Sequence, residues 1–189
     1  MTAEERREQL LDTTRRIVAE RGFHAVSIEA VAREAGITRP VVYGHFSDLQ
    51  GLLEALVERE AATAIAELPA FVPTDLTEGD WREALLANLG GYLEAAQANP
   101  VTWQLVLIPP EGAPARMRER IAEGRAAVIA QLTEALREGV EPSPDPELTA
   151  WTLSAFADQA VRLLLTDPRR YPPERILAHA RWVLEQLPA

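Results

Sequence analysis

Apolar residues recur at helical spacing along most of the chain, and strict alternation of apolar and polar residues, the pattern of strands, is almost absent. The pattern predicts an all-α fold of about nine helices. Prolines and glycines fall mainly between the periodic segments, as expected for loops. Beyond the N-terminal quarter, the predicted helices cover about residues 48–67, 78–98, 101–107, 114–138, 146–166 and 173–187.

Capping residues define three helices before residue 48. The first ends at Gly22. Ser27 is a favourable N-cap for a second helix, which Gly36 ends. Thr38 can cap a short third helix, whose first turn tolerates Pro40 because that amide would have no helical partner.

The second and third helices have the pattern of a helix-turn-helix, in which a small residue makes the turn and apolar side chains hold the helices together. Gly36 supplies the turn, and the apolar contacts are predicted from Val31, Ala35, Ile37, Val42 and Phe46. The free face of the third helix and the two helix N-termini then carry the predicted DNA contacts. These residues are Ser27, Thr38, Arg39, Val41, Tyr43, Gly44 and His45.

The side chains on this face suit particular contacts to DNA. Arg39 lies in the first turn of the third helix, where its guanidinium can reach O6 and N7 of guanine. Val41 can contact a thymine methyl, and Tyr43 and His45 can reach phosphate oxygens. Packing against adjacent helices is the competing interpretation for Tyr43 and His45, and a glycine-centred helical hairpin alone is weak evidence for DNA binding.

The charge distribution bears on this interpretation, because phosphate binding usually requires a basic surface. The 189-residue chain has a formal net charge of −10. Residues 1–50 hold seven arginines and eight acidic residues, a net of −1, whereas residues 51–189 hold twelve arginines and twenty-one acidic residues, a net of −9. The acidity therefore lies mainly outside the predicted DNA-binding segment.

Other residue counts exclude several kinds of site. There is no cysteine, and the three histidines are scattered, which argues against a metal site, a catalytic triad or a cofactor. No apolar run is long enough to span a bilayer, and the charged N-terminus lacks the apolar core of a signal peptide. We therefore expect a cytoplasmic protein that is not an enzyme.

Residues 10 to about 57 resemble the N-terminal domain of the TetR family of bacterial transcriptional repressors. The matching residues are Gly22-Phe23, Ser27, Val31-Ala32, Ala35-Gly36-Ile37, Pro40, Val42-Tyr43, His45-Phe46 and Leu52-Leu53. The resemblance implies a repressor that binds a palindromic operator in double-stranded DNA as a homodimer and is released by a small-molecule inducer. It also implies a DNA-binding domain at residues 1–47 and a helical ligand-binding and dimerisation domain at 48–189.

Two positions depart from the family pattern. Leu49 stands where a lysine that meets a phosphate is usual, so this contact cannot be transferred to the chain. Gly44 occupies a groove-facing position that often holds a larger residue. Glycine allows close backbone approach to DNA or merely forgoes a contact, and the sequence leaves both interpretations open.

Aromatic and polar residues on the later helices are candidates for an inducer pocket, since such pockets are apolar with a few placed polar groups. The candidates are Trp81, Asn88, Tyr92, Trp103, Gln104, Arg125, Trp151, Asp158 and Gln159. Core packing is an alternative for each tryptophan. Arg125 can anchor an anionic ligand or pair with an acidic neighbour, and Asp158 can simply pair with Arg162.

Stripes on the last two helices suit a four-helix interface across a twofold axis, as the resemblance implies. They consist of Leu148, Thr152, Ala155, Gln159 and Leu163, with Ile176, Ala180, Val183, Leu184 and Leu187. Two alternatives remain: a helical enzyme with an incidental helix-turn-helix, and a helical scaffold that binds no inducer. The first would require polar residues with catalytic spacing, and the second would leave no cavity among the later helices.

Overall fold

The structure is a computed structural model that describes residues 1–108, 115–139 and 145–186, without the side chains of residues 115–117. Within these ranges the chain forms nine α-helices and no strand, which confirms the predicted all-α fold. The helices are α1 (Ala3–Arg21), α2 (Ile28–Glu34), α3 (Arg39–Tyr43), α4 (Leu49–Glu67), α5 (Trp81–Ala98), α6 (Pro100–Leu107), α7 (Ala115–Gly139), α8 (Pro146–Thr166) and α9 (Pro173–Glu185), with 3₁₀ turns at Phe23–Ala25 and Leu68–Phe71.

The helix starts follow local capping. Ser27 Oγ accepts a hydrogen bond from the Ala30 amide at 3.1 Å and opens α2. Helix α5 begins at Trp81, later than the predicted residue 78, because the Asp80 carboxylate accepts from the Arg82 amide and caps the helix there. The predicted end of the last helix at residue 187 lies outside the described residues.

The turn between α2 and α3 depends on Gly36, whose φ of +68° lies in the left-handed region that disfavours other residues. The following amide, of Ile37, donates to the Ala32 carbonyl at 2.9 Å and closes the end of α2. This bond fixes the direction in which the chain enters α3. The predicted turn residue is therefore the one that makes the turn.

Helix α4 joins the N-terminal helices to the rest of the molecule. It begins where the Asp48 carboxylate accepts from the Gly51 amide at 2.7 Å. It packs against α1 and also against α6 and α7. The predicted domain boundary between residues 47 and 48 falls at the first turn of this shared helix.

Helices α5 to α9 form the C-terminal half. Helix α5 packs against α8 and α9, and α7 packs against α8. The main apolar core runs without a break from α1 through α4 to α5, α6, α8 and α9. A smaller core, which includes Leu132 and Leu136, holds the C-terminal part of α7 against Val72, Leu76 and Ala150. This arrangement leaves an internal space between α5, α7 and α8.

Candidate DNA interface and ligand cavity

Helix α3 has a buried side and an exposed side. Val42 is fully buried and Phe46 nearly so, and Val31 of α2 is buried against the same core. Ala35 and Ile37 are partly buried there, so the five predicted contacts between the helices are all present. Val41 and Tyr43 lie on the opposite side, with exposed fractions of 40% and 52%. The buried side chains thus hold α3 against the core, while Val41 and Tyr43 point to solvent.

The remaining predicted DNA-binding residues surround this face. Thr38 and Gly44 are exposed, whereas Ser27 and His45 are partly buried. The Thr38 side chain makes no capping hydrogen bond to α3. A Cβ atom at Gly44 would lie 3.3 Å from the Val41 carbonyl oxygen, so a larger residue would press on the end of α3.

Arg39 is also exposed, but it is paired. Its Nη1 donates to Glu29 Oε1 of α2 at 2.7 Å. This hydrogen bond raises the pKa of Arg39 and lowers the pKa of Glu29. Glu29 was not among the predicted residues, although it is a carboxylate on the exposed side of α2, next to α3.

Leu49, at the position where the family pattern has a lysine, is partly buried and packs against the main core. Its side chain contributes to holding the start of α4. The structure thus gives this residue a packing role in place of a phosphate contact.

A cavity of about 500 Å³ lies in the C-terminal half. Its wall comes mainly from α5, α7 and α8. Smaller parts come from Phe71 and Val72 in the segment after α4, from α6 (Val106 and Leu107) and from α9 (Ala180, Val183 and Leu184). The volume is within the range of small-molecule sites, and most of the wall is aliphatic or aromatic. Residues 71–72 were not predicted to contribute, although an apolar pair between Pro69 and Pro73 was one sign of it.

Four of the predicted ligand-binding residues line this cavity: Asn88, Tyr92, Arg125 and Asp158. Three of them form its polar end. Asp158 is buried and accepts a hydrogen bond from the Tyr92 hydroxyl at 3.3 Å. Its Oδ2 atom lies 2.7 Å from Arg125 Nη2 and 3.9 Å from Arg162 Nη2. The i,i+4 pair with Arg162 is therefore the weaker contact, and the partner of Arg125 is on another helix.

Burial controls the ionisation of this cluster. It raises the pKa of Asp158 even though Arg125 and Arg162 favour the carboxylate. Burial, together with the neighbouring Asp158, also raises the pKa of Tyr92. The phenol therefore stays protonated, and its O–H donates a hydrogen bond to Asp158. Arg162 is held from behind, since its Nε donates to the Leu107 carbonyl at 3.0 Å.

The other five predicted ligand-binding residues do not line the cavity: Trp81, Trp103, Gln104, Trp151 and Gln159. Trp103 is fully buried behind the wall, with its ring edge-on to Tyr92 at 4.8 Å between centroids. Trp151 and Gln159 are exposed on the outer side of α8. Trp81 and Gln104 are partly buried, and Trp81 packs against the core and beneath the Arg82 guanidinium.

The surface of α8 and α9 differs in part from the predicted stripes. Of the predicted α8 stripe, Leu148, Thr152, Ala155 and Gln159 are exposed and Leu163 is partly buried; Leu148 and Thr152 also border the cavity. The prediction for α9 is wrong at Ile176, Ala180 and Leu184, which are buried within their own chain where α9 packs against α5. The exposed face of α9 carries Ala178, His179 and Trp182, and the last two rings stack at 5.7 Å. Leu187 lies outside the described residues.

A buried carboxylate, Glu60 of α4, connects the N-terminal helices to the cavity wall. Only 4% of this residue is exposed. Its Oε2 atom accepts from Arg15 of α1 at 3.2 Å and from the hydroxyl of Thr102 of α6, while Oε1 accepts from Arg59 at 3.0 Å. Arg15 also donates to Asn99 at 3.2 Å. These residues, called the Glu60 network below, were not identified from the sequence, where Glu60 appears as one charge among many on α4.

No helix in the described ranges is long and apolar enough to cross a membrane. In the same ranges, no cluster of three or more histidine and acidic side chains has the arrangement of a metal site.

A helix-turn-helix with an exposed face on its second helix, followed by a helical domain with a cavity, is the architecture found in DNA-binding regulatory proteins. Residues 10–56 match the family model described as bacterial regulatory proteins, tetR family. Over these residues the chain has the sequence of the TetR family of bacterial transcriptional regulators, and the resemblance seen in the sequence is confirmed there.

Individual relatives agree with this assignment. The chain is 27% identical over 103 residues to the transcriptional activator FasR of Mycolicibacterium smegmatis, a match that covers 54% of the chain and 46% of FasR. The chain spans about half the length of the curated relatives it matches. The crystal structure of a tetR-family regulator from Streptomyces coelicolor superposes with a TM-score of 0.71 at 27% identity, over 96% of this chain and 79% of that one. FadR of Bacillus subtilis, solved in complex with stearoyl-CoA, has the same fold with a TM-score of 0.62 at 18% identity, over 94% and 95% of the two chains.

Proposed function

We propose that the protein is a repressor that binds a palindromic operator in double-stranded DNA as a homodimer and leaves it when a small molecule occupies the cavity. The observation that carries the DNA-binding part is the face of α3, where Val41 and Tyr43 are exposed beside Arg39 while Val42 is fully buried. A rigid helix with large exposed side chains is what entry into a major groove requires. We place this activity in the cytoplasm, where operator DNA is found.

In this proposal each residue of the face has one role. Arg39 donates to guanine, either by breaking its hydrogen bond to Glu29 or by using the donors that this bond leaves free. Val41 contacts a thymine methyl. Tyr43 and His45 contact phosphates, and Gly44 lets the backbone approach the DNA. The hydroxyls of Ser27 and Thr38 add phosphate contacts at the starts of α2 and α3.

The homodimer is proposed from the exposed stripe of α8 and the exposed face of α9. Leu148, Trp151 and Trp182 are exposed by 63%, 43% and 57%. Tryptophan is enriched at the centre of protein interfaces. A twofold axis through this surface would present two copies of α3 to successive major grooves.

Release by a ligand requires a connection between the cavity and α3. Helix α6 contributes Val106 and Leu107 to the cavity wall, and its Thr102 bonds to Glu60 of α4. Glu60 in turn pairs with Arg15 of α1, against which the helix-turn-helix is packed. A ligand that displaces α6 would thus move α4 and α1, and its effect on operator affinity must equal the effect of the operator on its own affinity. FadR, with the same fold, holds stearoyl-CoA.

The experiment that tests the proposal begins with selection of binding sequences from a random DNA library. Binding of the selected site is then measured by fluorescence anisotropy at several salt concentrations. We expect a palindromic site, nanomolar affinity and a strong loss of affinity with salt. Absence of specific, salt-sensitive binding would refute the proposal.

Arg39→Ala provides the test of direct reading. It should weaken binding to the selected site by tenfold or more per half-site, while non-specific binding falls much less. Arg137→Ala is the matched control, because Arg137 is an exposed arginine that pairs with Glu134 on α7, away from the reading face. Equal losses on both kinds of DNA would contradict base reading by Arg39.

A further inference from the structure

We infer that the ligand of the cavity is an apolar organic anion whose acidic group is held by Arg125. The inference rests on the proposed function, in which this cavity is the inducer site. It specifies the chemical class of the inducer, which the fold alone leaves open.

The wall determines the body of the ligand. Phe71, Leu89, Val106, Ile121 and Val128 are among the side chains that face the cavity, and the polar part of the surface is small. A polar ligand body would lose its hydration on entering such a space without receiving hydrogen bonds in return. The body of the ligand is therefore aliphatic or aromatic.

The polar end determines the sign of the ligand charge. Arg125 and Arg162 both approach Asp158, so among the described residues two guanidinium groups share one carboxylate. Asp145 is the second carboxylate on the wall, but it caps the exposed start of α8, about 20 Å along the helix from Asp158. The inner end of the cavity is thus left with net positive charge.

Hydrogen bonding gives the same answer. Asp158 already accepts from Tyr92 and lies within ion-pair distance of both arginines, so these three neighbours use most of its acceptor capacity. Arg125 uses Nη2 for Asp158, and a guanidinium has five N–H donors. Its side chain, about 35% exposed, lines the cavity and can turn its other donors to a carboxylate or sulfonate. An anion therefore completes the cluster, whereas a cation would be repelled by it.

The test uses three molecules with one carbon skeleton and different head groups: decanoate, decanol and decylamine. Each is titrated into the full-length protein by calorimetry and by tryptophan fluorescence, to which Trp103 contributes because its ring contacts Tyr92 of the wall. We expect decanoate to bind at least tenfold more tightly than either of the others. Anilinonaphthalene sulfonate and the uncharged phenylnaphthylamine form a second pair for the same comparison, with the sulfonate expected to bind more tightly.

Two variants with opposite expected effects locate the anion. Arg125→Gln should weaken decanoate binding tenfold or more and leave decanol within about twofold. Asp158→Asn should strengthen decanoate binding, because it removes the carboxylate that competes for Arg125. Arg120→Gln is the matched control, since Arg120 is an exposed arginine on the same helix that pairs with Glu58 and is not on the wall. Thermal unfolding shows whether each variant is folded, and the ranking of the probes on the unaltered protein decides the sign of the charge in any case.

Three outcomes would overturn the inference: tighter binding of decylamine than of decanoate, equal binding of decanoate and decanol, or no binding of any probe. The operator assay keeps this result separate from the proposed function. Specific DNA binding that is released by decanol or decylamine would support the regulator and refute the anionic ligand. Decanoate binding that depends on Arg125, in a protein that binds no operator, would support the anionic ligand and refute the regulator.

Discussion

Substitution of Glu60 by alanine should destabilise the protein far more than substitution of an exposed glutamate on the same helix, α4. Glu60 is 4% exposed and accepts hydrogen bonds from Arg15, Arg59 and Thr102, which lie on α1, α4 and α6. The substitution removes the acceptor of all three. Its cost depends on which donors can find another partner.

Each donor has a different alternative. Arg59 keeps Glu8 and Asp12, at 2.9 and 2.8 Å, and Arg15 keeps Asn99 and partial access to water. Thr102 is 1% exposed, and its hydroxyl would lose the acceptor it has in the network. An unsatisfied buried hydroxyl costs about 1–3 kcal/mol, and the loss of one ion-pair partner by two partly exposed arginines adds about 1 kcal/mol. We therefore expect a loss of about 2–4 kcal/mol in the free energy of unfolding.

Urea denaturation followed by circular dichroism measures this loss at a fixed protein concentration, because dimerisation would otherwise alter the apparent stability. Glu58→Ala is the control: Glu58 is also ion-paired and on α4, but it is 57% exposed and lies 3.6 Å from Arg120. It should change the free energy of unfolding by less than about 0.5 kcal/mol. If both variants fall within about 0.5 kcal/mol of each other, the Glu60 network does not stabilise the junction of α1, α4 and α6, and the reasoning above is refuted.

Three further predictions follow from single contacts. Burial raises the pKa of Asp158, so the folded protein keeps this carboxyl protonated at a pH where the unfolded chain has lost the proton. The free energy of unfolding therefore has its full value below the pKa of the unfolded chain and decreases as pH rises through the pKa of the folded protein. Melting temperatures of Asp158→Asn should lack this decrease, and parallel pH profiles would contradict it. Glu29→Gln should strengthen DNA binding a few-fold in anisotropy measurements, because it frees Arg39 and removes a negative charge next to the exposed face of α3. Weaker binding would instead indicate that Glu29 orients Arg39. Leu148→Glu should shift the protein from dimer to monomer in sedimentation experiments without unfolding it, since Leu148 is exposed in one chain, whereas Ala126→Glu on the exposed side of α7 should leave the dimer intact.

Local sequence rules were enough to predict the helix-turn-helix. Ser27, Gly36 and Val42 are an N-cap, a turn residue with positive φ and a buried contact, and each acts on neighbours only a few residues away. Short-range rules of this kind can be applied to a sequence without knowing the rest of the fold. The predicted range 146–166 of the eighth helix is also that of α8.

The way in which the faces of distant helices meet could not be predicted without the fold. Periodicity placed Arg125 and Asp158 on inward faces, but only packing of α7 on α8 brought them to 2.7 Å, and only packing of α9 on α5 buried Ile176 and Leu184 within the chain. Glu60 gave no local signal, because its partners on α1 and α6 are far away in the sequence. A hydrophobic pattern identifies the side of a helix that must be buried. It does not identify the helix that buries it, because the order of segments along the chain does not determine which of them are neighbours in space.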